Sequence, residues 1–132
     1  MALQRTTAGR QVSSAATATV DVAVLRCEGE MGQMELAHLG EELFRLAHRG
    51  INRVVIDLAG VDHVDYRGLK PVASRARLLR TAGGGIKLAG PTPYVAAIFR
   101  AAGVEDEFEM YRTAEEAKLA FASQPALAVV RG

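Results

Sequence analysis

The segment from Arg53 to Leu58 constrains this chain most, because Val54, Val55 and Ile56 follow one another with no polar residue between them. A strand with one wet face alternates apolar and polar side chains. An unbroken β-branched run marks a strand buried on both faces, in a sheet that helices cover. The flanking segments supply such helices. Between Met34 and Arg49, Leu36, Leu39, Leu43 and Leu46 recur at three- and four-residue spacing, with Glu35, Glu41, Glu42 and Arg45 elsewhere on the wheel and Gly50 as a stop. From about Gly68 to Ala82 a second segment turns Leu69, Val72, Ala76 and Leu79 to one side, and Gly83-Gly84-Gly85 ends it. Pro71 fits only the first turn of that helix, so the regular helix is expected to start near Arg67 or Gly68.

The remaining elements repeat the alternation. Val20 to Cys27 reads as a strand that exits at Glu28-Gly29-Glu30, and Ile86 to Ala89 as a third, short buried strand. Thr92 can cap, and Pro93 can open, a helix that carries Val95, Ile98, Phe99 and Ala102 and closes at Gly103. Phe108 to Tyr111 makes a last short strand. Thr113 and Glu116 then have the spacing of a capping box, each satisfying a free amide of a helix with Ala117, Ala120 and Phe121 on its inner face. Strands alternating with helices imply an α/β fold: a largely parallel sheet of four to five strands packed against about four helices. The domain is expected over residues 20–122, preceded at 1–19 by a flexible tail or weak edge strand. Pro125 breaks the last helix, and residues 123–132 form an apolar tail whose Ala126 to Val130 would dock on the sheet, pair between chains or stay loose.

Charge and composition narrow the function. Lys and Arg number 16 against 15 Asp and Glu in 132 residues, so no global field steers the chain to nucleic acid or an anionic membrane. No apolar stretch approaches the ~20 residues that span a bilayer, which argues against membrane insertion. Cys27 is the only cysteine and falls in an apolar run. An internal disulfide is therefore excluded, a small core residue is expected, and a reducing cytoplasmic setting is the default.

Asp57, Asp62, His63 and Asp65 are crowded enough to raise a metal site. Their spacing argues against one, since Asp57 would end a strand, Asp65 would cap a helix, and His63 reads as a surface loop residue. Gly83-Gly84-Gly85 leaves a helix and enters a strand, the reverse of a phosphate-binding loop. Asp57 as a receiver-type phosphoacceptor lacks the paired N-terminal acids that would hold magnesium. Cys27, His38, His48 and Ser74 suggest no nucleophile, base and orienting acid. Neither an enzyme nor a cofactor is expected.

The stretch Val54-Val55-Ile56-Asp57-Leu58-Ala59-Gly60-Val61-Asp62-His63-Val64-Asp65-Tyr66-Arg67-Gly68-Leu69 resembles the central signature of the STAS family, named for sulfate transporters and anti-sigma factor antagonists. In that family a buried strand ends in Asp-Leu, a short loop follows, and Asp-Ser-Ser-Gly-Leu opens the next helix. Gly29-Glu30-Met31, Gly84-Gly85, Gly103-Val104, Phe108 and Tyr111 agree in order, and the resemblance covers roughly residues 20 to 122. It implies a non-catalytic regulatory module that binds an anti-sigma factor or a histidine-kinase-like switch ATPase. The alternatives are an assembly subunit of a signalling complex or lipid transporter, or a small-ligand or nucleotide-binding domain; a homodimer is compatible with each.

In the switch-type antagonists the second serine of Asp-Ser-Ser-Gly is phosphorylated. Tyr66 and Arg67 occupy the two serine positions here, and Gly32 stands where an Asp usually follows the Gly-Glu-apolar triplet. The resemblance therefore implies that serine phosphorylation at this loop is lost. It also implies that Asp65, Tyr66, Arg67, Gly68, Lys70, Ser74 and Arg77 meet the partner. Of these, Arg67, Lys70, Ser74 and Arg77 follow helical spacing and would form a basic ridge.

Overall fold

The computed structural model describes residues 2–8 and 21–122; the apolar tail from Ala126 to Val130 and residues 9–20 lie outside the described residues. At the centre is β3 (Arg53–Val64), flanked by β2 (Val22–Met31) and β4 (Gly85–Ala89). The sheet runs β1-β2-β3-β4-β5, with β1 (Ala2–Ala8) antiparallel at one edge and β5 (Glu109–Tyr111) parallel at the other. α1 (Gln33–His48), α2 (Leu69–Thr81) and α3 (Pro93–Ala101) connect successive parallel strands, and α4 (Ala114–Ala122) follows β5. The α/β expectation is borne out.

Side-chain alternation assigns the two faces. Ala23, Leu25 and Cys27 on β2, Val54, Ile56 and Leu58 on β3, and Ile86 and Leu88 on β4 join Leu36, Leu39, Leu43 and Leu46 of α1 and Leu69, Val72, Ala76 and Leu79 of α2 in the main core. Crossovers of one hand put α1, α2 and α3 on the same face when strand order is sequential. The opposite face carries Val22, Val24, Val55 and Ala89, covered by Ala117 and Phe121 of α4. Val54, Val55 and Ile56 are accordingly buried on both sides. Cys27 lies in the main core, where desolvation, aided by the charge of Asp57, pushes its thiol up to about 12.

Three local expectations are corrected. First, β3 does not end at Asp57-Leu58: it continues to Val64, pairing with a β2 that itself runs on through Glu28-Gly29-Glu30 to Met31, through two register shifts, Glu28 opposite Gly60 and Glu30 opposite His63. Buried Val61 and Val64 drive this extension, and Asp62 between them is exposed. Asp57 therefore sits mid-strand, where its Oδ1 accepts the Ala59 amide at 3.0 Å and its Oδ2 lies 3.6 Å from the Arg26 guanidinium. Second, a 3-10 turn over Tyr66–Gly68 precedes α2, so the regular helix begins at Leu69. Third, the Thr113–Glu116 capping box is asymmetric. Thr113 Oγ1 accepts the Glu116 amide at 3.1 Å, but the Glu116 carboxylate takes the amide of Arg112, 3.3 Å away, and also meets the Arg112 guanidinium.

Candidate protein-binding site

The carboxyl ends of β2 and β3 hold the signature residues. The Asp65 amide donates to the Met31 carbonyl at 2.9 Å, tying the end of β3 to the end of β2. Asp65 then caps the 3-10 turn, its Oδ1 accepting the Arg67 amide at 3.0 Å. The same carboxylate receives the Arg67 side chain as a fork, Nε to Oδ1 at 3.0 Å and Nη2 to Oδ2 at 2.8 Å. Bidentate pairing of this kind is geometrically specific. The hydrogen bonds from Arg67 hold the Asp65 carboxyl at about 2.

Gly68 allows the turn to lie against α1: a β-carbon there would stand 2.6 Å from Leu36 Cδ1. Tyr66, Arg67 and Lys70 project from this support into solvent, and Ser74 is exposed one turn further along α2. The structure thus brings Asp65, Tyr66, Arg67, Gly68 and Lys70 together around one turn. It leaves Arg77 with another task. Arg77 Nη2 donates to Glu107 Oε2 at 2.9 Å, and Arg80 holds the second oxygen of Glu107 and its backbone carbonyl, pinning α2 to the turn before β5. The ridge is less basic than its sequence suggests, since Arg67 and Arg77 are each paired with a carboxylate. Lys70 has no ion-pair partner among the described residues.

Sequence reasoning missed two side chains at this end of the sheet and misplaced a third. Met34 near the start of α1 and Tyr94 near the start of α3 are exposed, as Tyr66 is. His63, expected in a surface loop, is half-buried at the end of β3, its Nδ1 2.7 Å from the Tyr94 hydroxyl and its ring stacked on the tyrosine at 5.7 Å. A usable signal was present: Met34 and Tyr94 are large apolar residues placed off the buried stripe of their helices, each within two residues of a cap.

Gly32 is the N-cap of α1 and offers no side-chain oxygen; the Glu35 carboxylate accepts its amide at 3.0 Å instead. Among the described residues no group of three or more His, Cys, Asp or Glu is placed to hold a metal ion, and no helix is long and apolar enough to cross a membrane.

The Asp65–Arg67 fork makes a pH prediction. A carboxyl depressed in the folded state contributes stability that is present above its unfolded pKa, near 4, and is lost as pH falls through its folded pKa, about 2. Carboxyl-detected NMR titration is expected to show Asp65 as one of the last side chains to protonate, and Arg67→Ser to move it back toward the ordinary aspartate range. An Asp65 that titrates near 4 in the wild type refutes the fork in solution.

A five-stranded, mostly parallel sheet with three crossover helices on one face, and a capped turn between the central strand and the second helix, defines a small α/β domain. The STAS domain family model matches residues 13–117, and the chain belongs to that family. A protein of Bordetella bronchiseptica named as an anti-sigma factor antagonist, BtrV, is 29% identical over 103 residues, covering 77% of this chain and 89% of the relative. Among solved structures, the unphosphorylated form of the anti-sigma factor antagonist SpoIIAA superposes with a TM-score of 0.69 at 21% identity, covering 88% of this chain and 92% of that one. An anti-sigma factor antagonist from Mycobacterium paratuberculosis gives a TM-score of 0.69 at 19% identity, over 92% and 96% of the two chains. These structures share the fold.

Proposed function

We propose that this domain is an anti-sigma factor antagonist that works by binding a partner protein, with no chemistry of its own. The observation that carries the reading is the signature turn, a projecting element with every backbone support in place. Asp65 caps it, Gly68 seats it on Leu36, and Tyr66 and Lys70 face outward. The kinship with a protein named as an anti-sigma factor antagonist supports it. The contact surface comprises Asp65, Tyr66, Arg67, Gly68, Lys70, Ser74 and Arg77, and the partner is an anti-sigma factor or histidine-kinase-like switch ATPase in the cytoplasm.

Control differs from that of a serine switch. At the second signature position the Arg67 side chain is locked to Asp65, with no hydroxyl to receive a phosphate, so serine phosphorylation does not control this loop, and binding is constitutive or controlled by other means. Tyr66 is the aromatic anchor of the surface. Lys70, the unpaired cation, supplies the electrostatic part and selects a partner that presents acidic groups.

The test is a pull-down from native lysate with mass spectrometry of captured partners and of the bait. Lys70→Glu changes charge alone, and is expected to weaken capture roughly tenfold and to flatten its salt dependence. Arg67→Glu also places a carboxylate beside Asp65 and loosens the cap, so its loss is expected to be greater. Recovery of the same partner at wild-type level by both variants removes this surface from the mechanism. A stoichiometric phosphate on the native turn overturns the claim that this domain is not a phospho-switch.

A further inference from the structure

A second exposed face lies on α1 and the flank of α2 beside it. Phe44 is 50% exposed, and Leu78, one turn beyond Arg75 on α2, is 58% exposed. The Arg75 guanidinium stands 5.5 Å from the Phe44 ring centroid. Ala37, Gly40, Glu41, Phe44, Arg45 and Arg75 line a shallow open groove here. Single exposed apolar residues are ordinary, but here Phe44 lines a groove and Leu78 is exposed one turn beyond another lining residue, Arg75.

Gly40 adds an independent observation. Glycine in mid-helix weakens the helix, and at Gly40 a β-carbon would meet nothing within 4 Å, so packing within the protomer does not require it. A helix approaching from outside does benefit, because the missing side chain lets two axes come closer.

The charges of this face identify the occupant. Glu41 is exposed and has no ion-pair partner among the described residues. Arg45 and His48 follow it at four- and seven-residue spacing, exposed on the same side of α1 as Phe44. Along α1 the face is thus acidic toward its amino end and basic toward its carboxyl end, with the Phe44 ring between them, flanked by Arg75 of α2. Turned end over end, it complements itself. We infer that this face is a homodimer interface, in which α1 packs antiparallel against α1 of a second copy across a two-fold axis near Phe44. The two-fold sets Glu41 of each copy against Arg45 and His48 of the other, so one complementary contact is made twice. Arg45 already meets Glu42 of its own helix at 3.0 Å, an exposed pair that is easily shared. The interface uses residues other than those of the proposed partner surface, so either can fail without the other.

Sedimentation equilibrium of the full chain tests the inference. The wild type is expected to dimerise reversibly, less tightly at high salt. Glu41→Arg and Arg45→Glu each set like charges together across the axis and are expected to weaken the dimer at least about tenfold. The double variant Glu41→Arg with Arg45→Glu restores both contacts and is expected to return to within about threefold of the wild type. An equimolar mixture of the two single variants is expected to form the heterodimer that neither forms alone. Phe44→Ser removes the ring without touching charge and is expected to dissociate the dimer. These positions are exposed, and far-ultraviolet circular dichroism verifies that each variant is folded. A wild type that is monomeric at every concentration, a dimer indifferent to the single changes, or a double variant as weak as the singles overturns the inference.

Discussion

Gly84→Ala is expected to destabilise the domain by at least about 3 kcal/mol, more than any surface change considered above. A β-carbon at Gly84 would lie 1.8 Å from the Asn52 carbonyl oxygen and 2.5 Å from its carbon, and neither is the yielding end of a side chain. Asn52 cannot retreat, because the segment is tied from several directions. The Gly85 amide donates to the Asn52 carbonyl at 2.9 Å, the Gly84 amide to the Leu79 carbonyl at 2.8 Å, and the Asn52 side-chain amide to the Ala82 carbonyl at 3.1 Å. Relieving the clash breaks the join between the end of α2, the start of β3 and the start of β4. Gly40→Ala is the matched control. It adds the same methyl to an open helix position and is expected to raise the stability of the dilute protein by about 0.5–1 kcal/mol. Urea titration separates the two, and a Gly84→Ala protein that unfolds at the wild-type midpoint refutes the contact.

Phe121→Ala is expected to cost about 3–5 kcal/mol, a large share of the roughly 5–15 kcal/mol that holds a domain folded. Phe121 is fully buried and, with Ala117, closes the second face of the sheet over Val55 and Ala89. It also shields a charge. Lys87, buried on β4, has its ammonium 4.5 Å from the Phe121 ring centroid and 5.5 Å from that of Tyr111, and is bonded to the Glu109 carboxylate. Without the ring the ammonium keeps its carboxylate but loses the cation–π contact and gains a cavity or water. Lys87→Met separates the two contributions. Replacing a buried cation by an apolar chain of similar volume is often neutral, and Glu109, largely exposed, is not stranded. Urea midpoints for both variants decide the matter: a Phe121→Ala loss below about 1 kcal/mol would mean that α4 contributes little to the folded state.

These expectations follow from contacts of very different legibility. The order of strands and helices, their buried stripes and the caps at Asp65 and Thr92 were readable from the chain. Each depends on periodicity or on neighbours within four residues, and burial on both faces of Val54-Val55-Ile56 leaves only a few sheet arrangements open. The resemblance located the signature turn. By contrast, the extension of β3 to Val64 was hidden, because Asp62 and His63 have the composition of a loop while only the pairing of β2 through Met31 makes the segment a strand.

The electrostatic character of the site belonged wholly to tertiary structure. Helical spacing put Arg67, Lys70 and Arg77 on one ridge, and spacing alone counted three cations. In the fold Arg67 turns back on Asp65, two residues away, and Arg77 reaches Glu107, thirty residues away, so only Lys70 remains unpaired among them. A side chain with several rotatable bonds chooses its partner after the backbone has set the distances. No local pattern of residues encodes the register of α2 against the turn before β5, nor the approach of Tyr94 to His63. Period alone was enough to mark the buried stripes of the helices and of the inner strands, because those depend on neighbours a few residues apart. Which charges are left for a partner was decided only when distant segments met.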